Sequence, residues 1–298
     1  MKLEPREIET KEVLQWQGLH LLNYAQSSCS QKVRILLGEK GVPYTSREID
    51  IKNAAHTTPW YLGINRRGVV PVLVHDGEVH IESNDILRYI DKTFPTKDHK
   101  WVPDDGEHKD LTDRLLALEA ELHLHLRVVT MGYLLPHSVA RKSEAELEAY
   151  ARNGTEDPHR AAQIEWWRAF GEHGVTDAQS RQAVESFQIA FNELEDLLGD
   201  KKWLLGNKPT VIDIAWFISL HRIALAGYPL QEHPKLHKLY TRMKRRPVFK
   251  RELAKGPAIL QIAGPVYRLI RRLKGTSLKS AFDQIQFNQN ATREGLTT

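Results

Sequence analysis

The sequence predicts a small α/β domain followed by an all-α domain. Three observations carry that reading. About eighty residues from Leu19 onward alternate short β-type runs with helical patterns and contain an Asp-Gly hairpin signal. After a charged linker, the periodic segments that follow have helical spacing. The length, 298 residues, exceeds one ordinary core and suits two domains.

The elements follow in order. Residues 19–24 (LHLLNY) form a short apolar run, read as a strand, and 25–30 (AQSSCS) a polar turn. Residues 31–40 read as a helix with Val33, Leu36 and Leu37 on one face, stopped by Gly41. Residues 44–51 alternate like a second strand, and 65–71 (NRRGVVP) are a loop. Residues 71–74 and 79–82 pair across His75-Asp76-Gly77, and 83–92 form a helix closed by Phe94-Pro95. Further helices are expected at 111–129, 143–152, 156–173, 177–198, 210–226 and 234–246. The expected plan is an extension at 1–18, an α/β domain at 19–96, a linker at 97–108, a helical domain at 109–256 and a basic tail at 257–298.

Composition narrows the classes. With 41% hydrophobic and 27% charged residues the chain is globular, so wholesale disorder is excluded. No window approaches the ~18 apolar residues of a membrane span. The charged start lacks the apolar core of a secretory signal. A single cysteine, Cys29, excludes an intrachain disulfide and a four-thiolate zinc site; a reducing, cytoplasmic setting is the expectation. Net charge is +4, unevenly placed. From Arg242 onward, 13 basic and 3 acidic residues leave +10, so the preceding chain carries −6. Such asymmetry suits an acidic partner, an anionic lipid surface or simply a solvated helix end.

Four constellations can carry chemistry. Ser27-Ser28-Cys29-Ser30 lies between a strand and a helix, where free amides favour anions and lower thiol pKa values; Ser30 can equally be only a cap. Val69-Val70-Pro71 opens a strand on a proline, a place where a cis bond would turn the Val70 backbone towards a bound peptide. Glu82-Ser83 precedes a helix, where a hydroxyl and an amide suit a carboxylate and the acid suits an ammonium group. Thr210-Val211-Ile212-Asp213 reads as a structural capping box. His123 and His125 lie two apart on a helix and make a poor metal pair, so no metal is expected.

Together these pieces resemble the glutathione transferase superfamily, in which a thioredoxin-like domain precedes an all-α domain. SSCSQKVRI (27–35) resembles the thiol-binding segment of the zeta class, with Gln31 and Lys32 in place of the usual Trp-Arg. NRRGVVPVL (65–73) resembles the loop ending in the family's cis-proline, with Arg66 in place of a proline. IESNDILRYID (81–91) and TVIDIAW (210–216) match the γ-glutamyl segment and the helical capping box. Other stretches are similar to tetrachlorohydroquinone reductive dehalogenases, bacterial lignin β-aryl etherases and ganglioside-induced differentiation-associated protein 1.

The resemblance implies glutathione as cosubstrate and a homodimer. It implies Val70 and Pro71 at the cysteinyl backbone, Glu82 and Ser83 at the γ-glutamyl end, and His56, Arg66 or Arg67 at the glycine carboxylate. The thiol would face the loop, where zeta-type alignment selects Ser27, etherase-type alignment Ser30, and dehalogenase-type alignment Cys29. The implied activity is a transferase of the EC 2.5.1.18 type acting on a hydrophobic, aromatic electrophile, with β-aryl ether cleavage or reductive dehalogenation as alternatives. A non-catalytic binding module using the basic tail is the reading from another class. No nucleic acid is expected.

In the tail, Ile259, Leu260, Ile262, Val266, Leu269, Ile270 and Leu273 share one broad apolar face, with Arg268, Arg271, Arg272 and Lys274 near its end. Gly264-Pro265 is expected to interrupt any helix there. The face is expected to pack back over the helical domain, with weak membrane-surface contact as the alternative. Beyond Ser280, disorder is expected.

Overall fold

The computed structural model describes residues 1–153, 157–254 and 258–293. Compactness divides the chain into two units, and the division does not follow the linear plan. The first comprises Met1–Pro103, Arg141–Glu172 and Pro247–Lys255; the second comprises Asp104–Ala140, His173–Arg246 and Gly256–Thr298. Two segments expected within a single helical domain at 109–256 thus belong to the first unit.

The first unit is built on a four-stranded sheet in the order β2-β1-β3-β4, made of β1 (Leu19–Asn23), β2 (Thr45–Glu48), β3 (Val72–His75) and β4 (Glu78–His80). β1 runs parallel to β2 and antiparallel to β3, with Leu21 opposite Ser46 on one side and Leu73 on the other. The β3–β4 hairpin turns at Asp76 and Gly77, both at positive φ (49° and 81°), as a two-residue Asp-Gly turn requires. Gly77 has a second reason to lack a side chain: a Cβ there would meet the Leu14 carbonyl oxygen at 2.3 Å. Leu14 belongs to the stretch expected as an extension. That stretch is instead part of the core: Lys2 bridges to His80, and Leu3, Ile8 and Val13 are buried with Leu22, Val72 and Val79.

Helix α1 (Ser28–Lys40) begins three residues earlier than expected, because Ser27 caps it; Gly41, left-handed at φ 65°, ends it. Its expected one-sided apolar face understates its burial. Lys32 and Arg34 are buried as well, because α3 (Ser83–Thr93) and α12 (Pro247–Leu253) also pack on α1. Short α2 (Pro59–Leu62), which periodicity does not reveal, precedes the 65–71 loop. Helices α7 (Glu144–Arg152) and α8 (Pro158–His173) complete this unit.

The second unit contains α4 (Gly106–Glu121), α5 (His123–Val129), short α6 (His137–Ala140), α9 (Asp177–Leu198), α10 (Val211–Ala226) and α11 (Pro234–Lys244). The helix expected at 111–129 is broken at Leu122 and passes into a π-helical turn at Thr130–Leu134. α10 is almost entirely buried, with the Trp216 indole donating to the Leu115 carbonyl at 3.2 Å. The capping box at its start is present: the Thr210 and Leu204 amides donate to the Asp213 carboxylate at 2.7 and 3.0 Å.

The tail departs from expectation twice. α13 (Ala258–Leu273) runs on through Pro265, which removes one backbone donor without ending the helix. α14 (Leu278–Arg293) is a helix where disorder was expected. Leu278, Phe282 and Ile285 recur at helical spacing and are buried, with Phe282 edge-on to Tyr228 at 5.2 Å; the polar composition of the stretch hides that stripe.

Candidate functional site

The sequence-derived candidates lie on two helix starts, the 65–71 loop and, for His56, a short turn at Ala55–Thr57, all in the first unit. At the start of α1, the Ser27 side chain accepts the Ser30 amide at 3.2 Å and keeps its own O–H proton to donate. Ser27 and Cys29 are half-buried. Ser30 is fully buried, and its hydroxyl accepts the Tyr24 amide at 3.4 Å, tying the start of the loop to the first turn of α1. The α1 amides of the first turn supply the positive end of a helix dipole.

Arg34, one turn further along, holds this loop from behind. Its guanidinium donates to the Asn23 side chain at 2.6 Å, to the Tyr24 carbonyl at 3.1 Å and to the Ala25 carbonyl at 2.7 Å. Its Nε pairs with Glu252 of α12 at 2.7 Å, and both side chains are buried. Arg34 lies inside the quoted thiol-loop motif, but nothing local marks Glu252, 218 residues away, as its partner.

At the start of α3, Glu82 occupies the cap position at φ 66° and ψ 112°, an outlier for a residue with a side chain. Its exposed carboxylate pairs with Arg67 of the 65–71 loop. Ser83, the first residue of α3, is buried. Lys32 of α1 donates to Asn84 at 3.0 Å, tying the two helix starts together. Val70 and Pro71 are joined by a cis peptide bond and are buried.

The three residues considered for the glycine carboxylate have separate fates. Arg66 is exposed and pairs with Glu7 at 3.4 Å. Arg67 is engaged by Glu82. His56 is buried, and its Nδ1 has no hydrogen-bond partner among the described residues. Burial above all, with the Lys142 ammonium adding to it and Glu146 opposing, brings the His56 pKa down to about 4, so the imidazole is neutral at pH 7. Lys142, whose own pKa is lowered by burial, stands beside this group on a segment that sequence reading assigned elsewhere. No local signal marks it.

Among the described residues, no group of three or more His, Cys, Asp or Glu side chains is placed to hold a metal ion. No described helix is long and apolar enough to cross a membrane. Four large aromatic residues fall in both units: Trp101, Trp166 and Trp167 in the first and Tyr133 in the second. Trp166 stacks on Phe170 at 5.2 Å, and Tyr133 lies under the Arg271 guanidinium at 4.4 Å.

Comparison with known proteins agrees with this geometry. The glutathione S-transferase N-terminal domain family matches residues 26–93 and the C-terminal domain family matches residues 159–242, together more than half of the chain. The chain belongs to the glutathione S-transferase family, with a thioredoxin-like domain and a helical C-terminal part. It is similar to tetrachloro-p-hydroquinone reductive dehalogenase of Sphingobium chlorophenolicum, 29% identical over 77% of this chain and 93% of that protein. It is also similar to human ganglioside-induced differentiation-associated protein 1-like 1, 23% identical over 86% of this chain and 80% of that protein. The crystal structure of the beta-etherase LigF from Sphingobium sp. strain SYK-6 covers 80% of this chain and 100% of its own at TM-score 0.67 and 21% identity, a likeness of fold.

Proposed function

We propose that this chain binds glutathione and activates its thiol for attack on a hydrophobic, aromatic electrophile. The observation that carries the reading is the pair of helix starts tied by Lys32 and Asn84, one presenting Ser27 and Cys29, the other Glu82 and Ser83. In this reading Ser83 receives the γ-glutamyl carboxylate, Glu82 its ammonium group and the Val70 backbone the cysteinyl unit. His56 offers the glycine carboxylate a neutral N–H, and Lys142 supplies the charge that a neutral imidazole lacks.

The thiol then meets the α1 start. A free thiol of pKa about 8.5 is a few per cent ionised at neutral pH. Lowering it by about 2 units amounts to about 2.7 kcal/mol of anion stabilisation. The Ser27 hydroxyl as donor and the α1 dipole are adequate sources. Because Ser30 is sealed, Ser27 is favoured as donor, and Cys29 is kept for redox substrates. The thiolate forms a carbon–sulfur bond as the leaving group departs with the bonding pair: halide from an aryl halide, phenolate from a β-aryl ether. Reductive dehalogenation and ether cleavage remain the alternatives within this chemistry. The reading carries with it a homodimer, to be checked by light scattering, and a cytoplasmic setting.

Retention on immobilised glutathione, followed by turnover of a chromogenic aryl halide, tests the proposal. Parallel assays with β-aryl ethers and chlorinated hydroquinones select the reaction. Failure of retention together with absence of glutathione-dependent turnover would sink it.

One observation favours an additional role for the tail. The part of the expected face at Ile259, Leu260 and Ile262 lies outside the described side chains; Val266, Leu269, Ile270 and Leu273, spaced as one face of α13, are 55, 55, 44 and 80% exposed, so these four do not pack back on the helical unit as expected. The inward contact is a charge instead: Arg271 lies on Tyr133 and donates to the Gly132 carbonyl at 2.6 Å. With Arg268, Arg272 and Lys274 beside the stripe and no acid between Leu253 and Phe282, the helix suits an anionic lipid surface. Salt-sensitive co-sedimentation with phosphatidylserine vesicles, lost on deleting 257–298, is the expected result. Equal recovery with neutral vesicles would count against it.

A further inference from the structure

We propose that helices α7 and α8 are a positioning element of the peptide site, with Tyr150 and Arg160 clamping the loop that carries Arg67 and leads to Val70, and Asn153, just past α7, holding the neighbouring turn that carries His56. The proposal rests on the glutathione reading and extends it to a segment outside the thioredoxin-like domain.

The bonds concern backbone carbonyls. The Tyr150 hydroxyl donates to the Arg67 carbonyl at 2.5 Å. The Asn153 amide donates to the Thr57 carbonyl at 2.8 Å, next to His56. Arg160 donates to the Arg66 carbonyl at 3.4 Å and to the Asn153 carbonyl at 2.7 Å, so it braces the clamp as well as the loop. Tyr150 and Arg160 are both buried. The Val69 carbonyl, two residues further along the loop, is held instead by its own neighbourhood, through the Tyr61 hydroxyl at 2.7 Å and the Asn65 amide at 2.9 Å. Local residues therefore hold the end of the loop nearest Val70, and α7 and α8 hold the Arg66–Arg67 part.

Packing follows the same line. Gly68, left-handed at φ 61°, lies against the Tyr150 ring: a Cβ would stand 2.7 Å from the ring and 3.1 Å from the His56 carbonyl oxygen. The ring also approaches the His56 imidazole at 6.0 Å between centroids. The clamp thus touches both sides of the loop, the His56 turn and the Arg66–Gly68 turn. Arg67 in turn carries its guanidinium to Glu82. A loop carbonyl held by a hydroxyl is held directionally, so losing the bond loosens the backbone without opening the core.

Tyr150→Phe removes one hydroxyl and keeps the ring over Gly68. It should raise the glutathione KM, and the calorimetric Kd, about five- to twentyfold, as one lost hydrogen bond would. The kcat at saturating glutathione should stay within about twofold, since the Ser27 loop is untouched. Asn153→Ala should shift KM in the same direction. Leu147→Ala, in the same apolar cluster of Leu62, Leu147, Tyr150 and Ile164, should lower Tm and leave the glutathione KM in place. An unchanged KM and Kd in Tyr150→Phe, or an equal KM rise in Leu147→Ala, overturns the clamp while leaving the glutathione reading intact. A wild-type protein that neither binds nor uses glutathione overturns both.

Discussion

The two edges of the candidate site are held by different physics. On the thiol edge, a buried ion pair does the holding: Arg34 spends four of its donors on Asn23, Tyr24, Ala25 and Glu252. On the peptide-loop edge, the shorter bonds come from the neutral donors Tyr150 and Asn153 to single carbonyls, and the charged Arg160 reaches the Arg66 carbonyl only at 3.4 Å, without an ion pair to the loop. A buried charge pair fails sharply when one partner goes, whereas a neutral hydrogen bond fails gently. A rigid thiol loop suits a group that must present a hydroxyl in one geometry. A more gently held loop suits contacts that close around a peptide.

Breaking the ionic edge should therefore cost most. Glu252→Ala leaves Arg34 buried and uncompensated and should destabilise the fold by about 3–5 kcal/mol in urea denaturation. The double change Arg34→Met with Glu252→Leu should recover much of that loss. If the single change costs less than about 1 kcal/mol, the pair is not the anchor described.

The next effect falls on ligand affinity. Ser83→Ala should cost about 1.5–3 kcal/mol of glutathione binding, by calorimetry, through loss of a hydrogen bond to a carboxylate. Unchanged affinity would remove the α3 start from the site.

Ser27 and Ser30 sharpen the contrast within one loop. Ser27→Ala should cost about 1 kcal/mol of stability through the lost cap and also abolish the thiolate absorbance of bound glutathione. Ser30→Ala should affect stability alone. Loss of the thiolate signal in Ser30→Ala but not in Ser27→Ala would reverse their roles.

The remaining effect is a pH dependence. His56 has a folded pKa of about 4 against 6.5 when unfolded, so the unfolded state takes up its proton first as pH falls. Its contribution to stability is complete above pH 6.5 and is lost as pH drops towards 4. Lys142→Met removes a neighbouring charge and should raise the His56 pKa, shrinking that acid loss; proton NMR titration of the imidazole is the measurement. A pKa left where it was would separate Lys142 from His56.

Much of the candidate site is legible in the chain because its pieces are short and local. Glu82 and Ser83 begin their own helix and Asp76-Gly77 turns its own hairpin, whereas the cap of α1 falls at Ser27 and not at Ser30, where the sequence offered it. Capping, turn chemistry and period act within a few residues, so the residue string shows them. What it could not show is which of several equivalent cations ends up free or engaged. Arg66, Arg67 and His56 look alike as candidates, yet one faces Glu7, one faces Glu82 and one is buried and neutral.

By itself, the sequence determined the strands, most of the long helices and the order of the two kinds of domain, because hydrophobic period and backbone stereochemistry are properties of neighbouring residues. Only the tertiary structure decided that the first residues join the core, that Arg141–Glu172 and Pro247–Lys255 belong with the sheet, and that Arg34 meets Glu252. It also decided that α13 turns Arg271 inward and leaves Leu273 outward. A charge is buried where it finds carbonyls and an aromatic face, and an apolar residue stays exposed where nothing covers it. Those partners lie tens to hundreds of residues away, as the 139 residues between Gly132 and Arg271 show, so no local pattern can announce them.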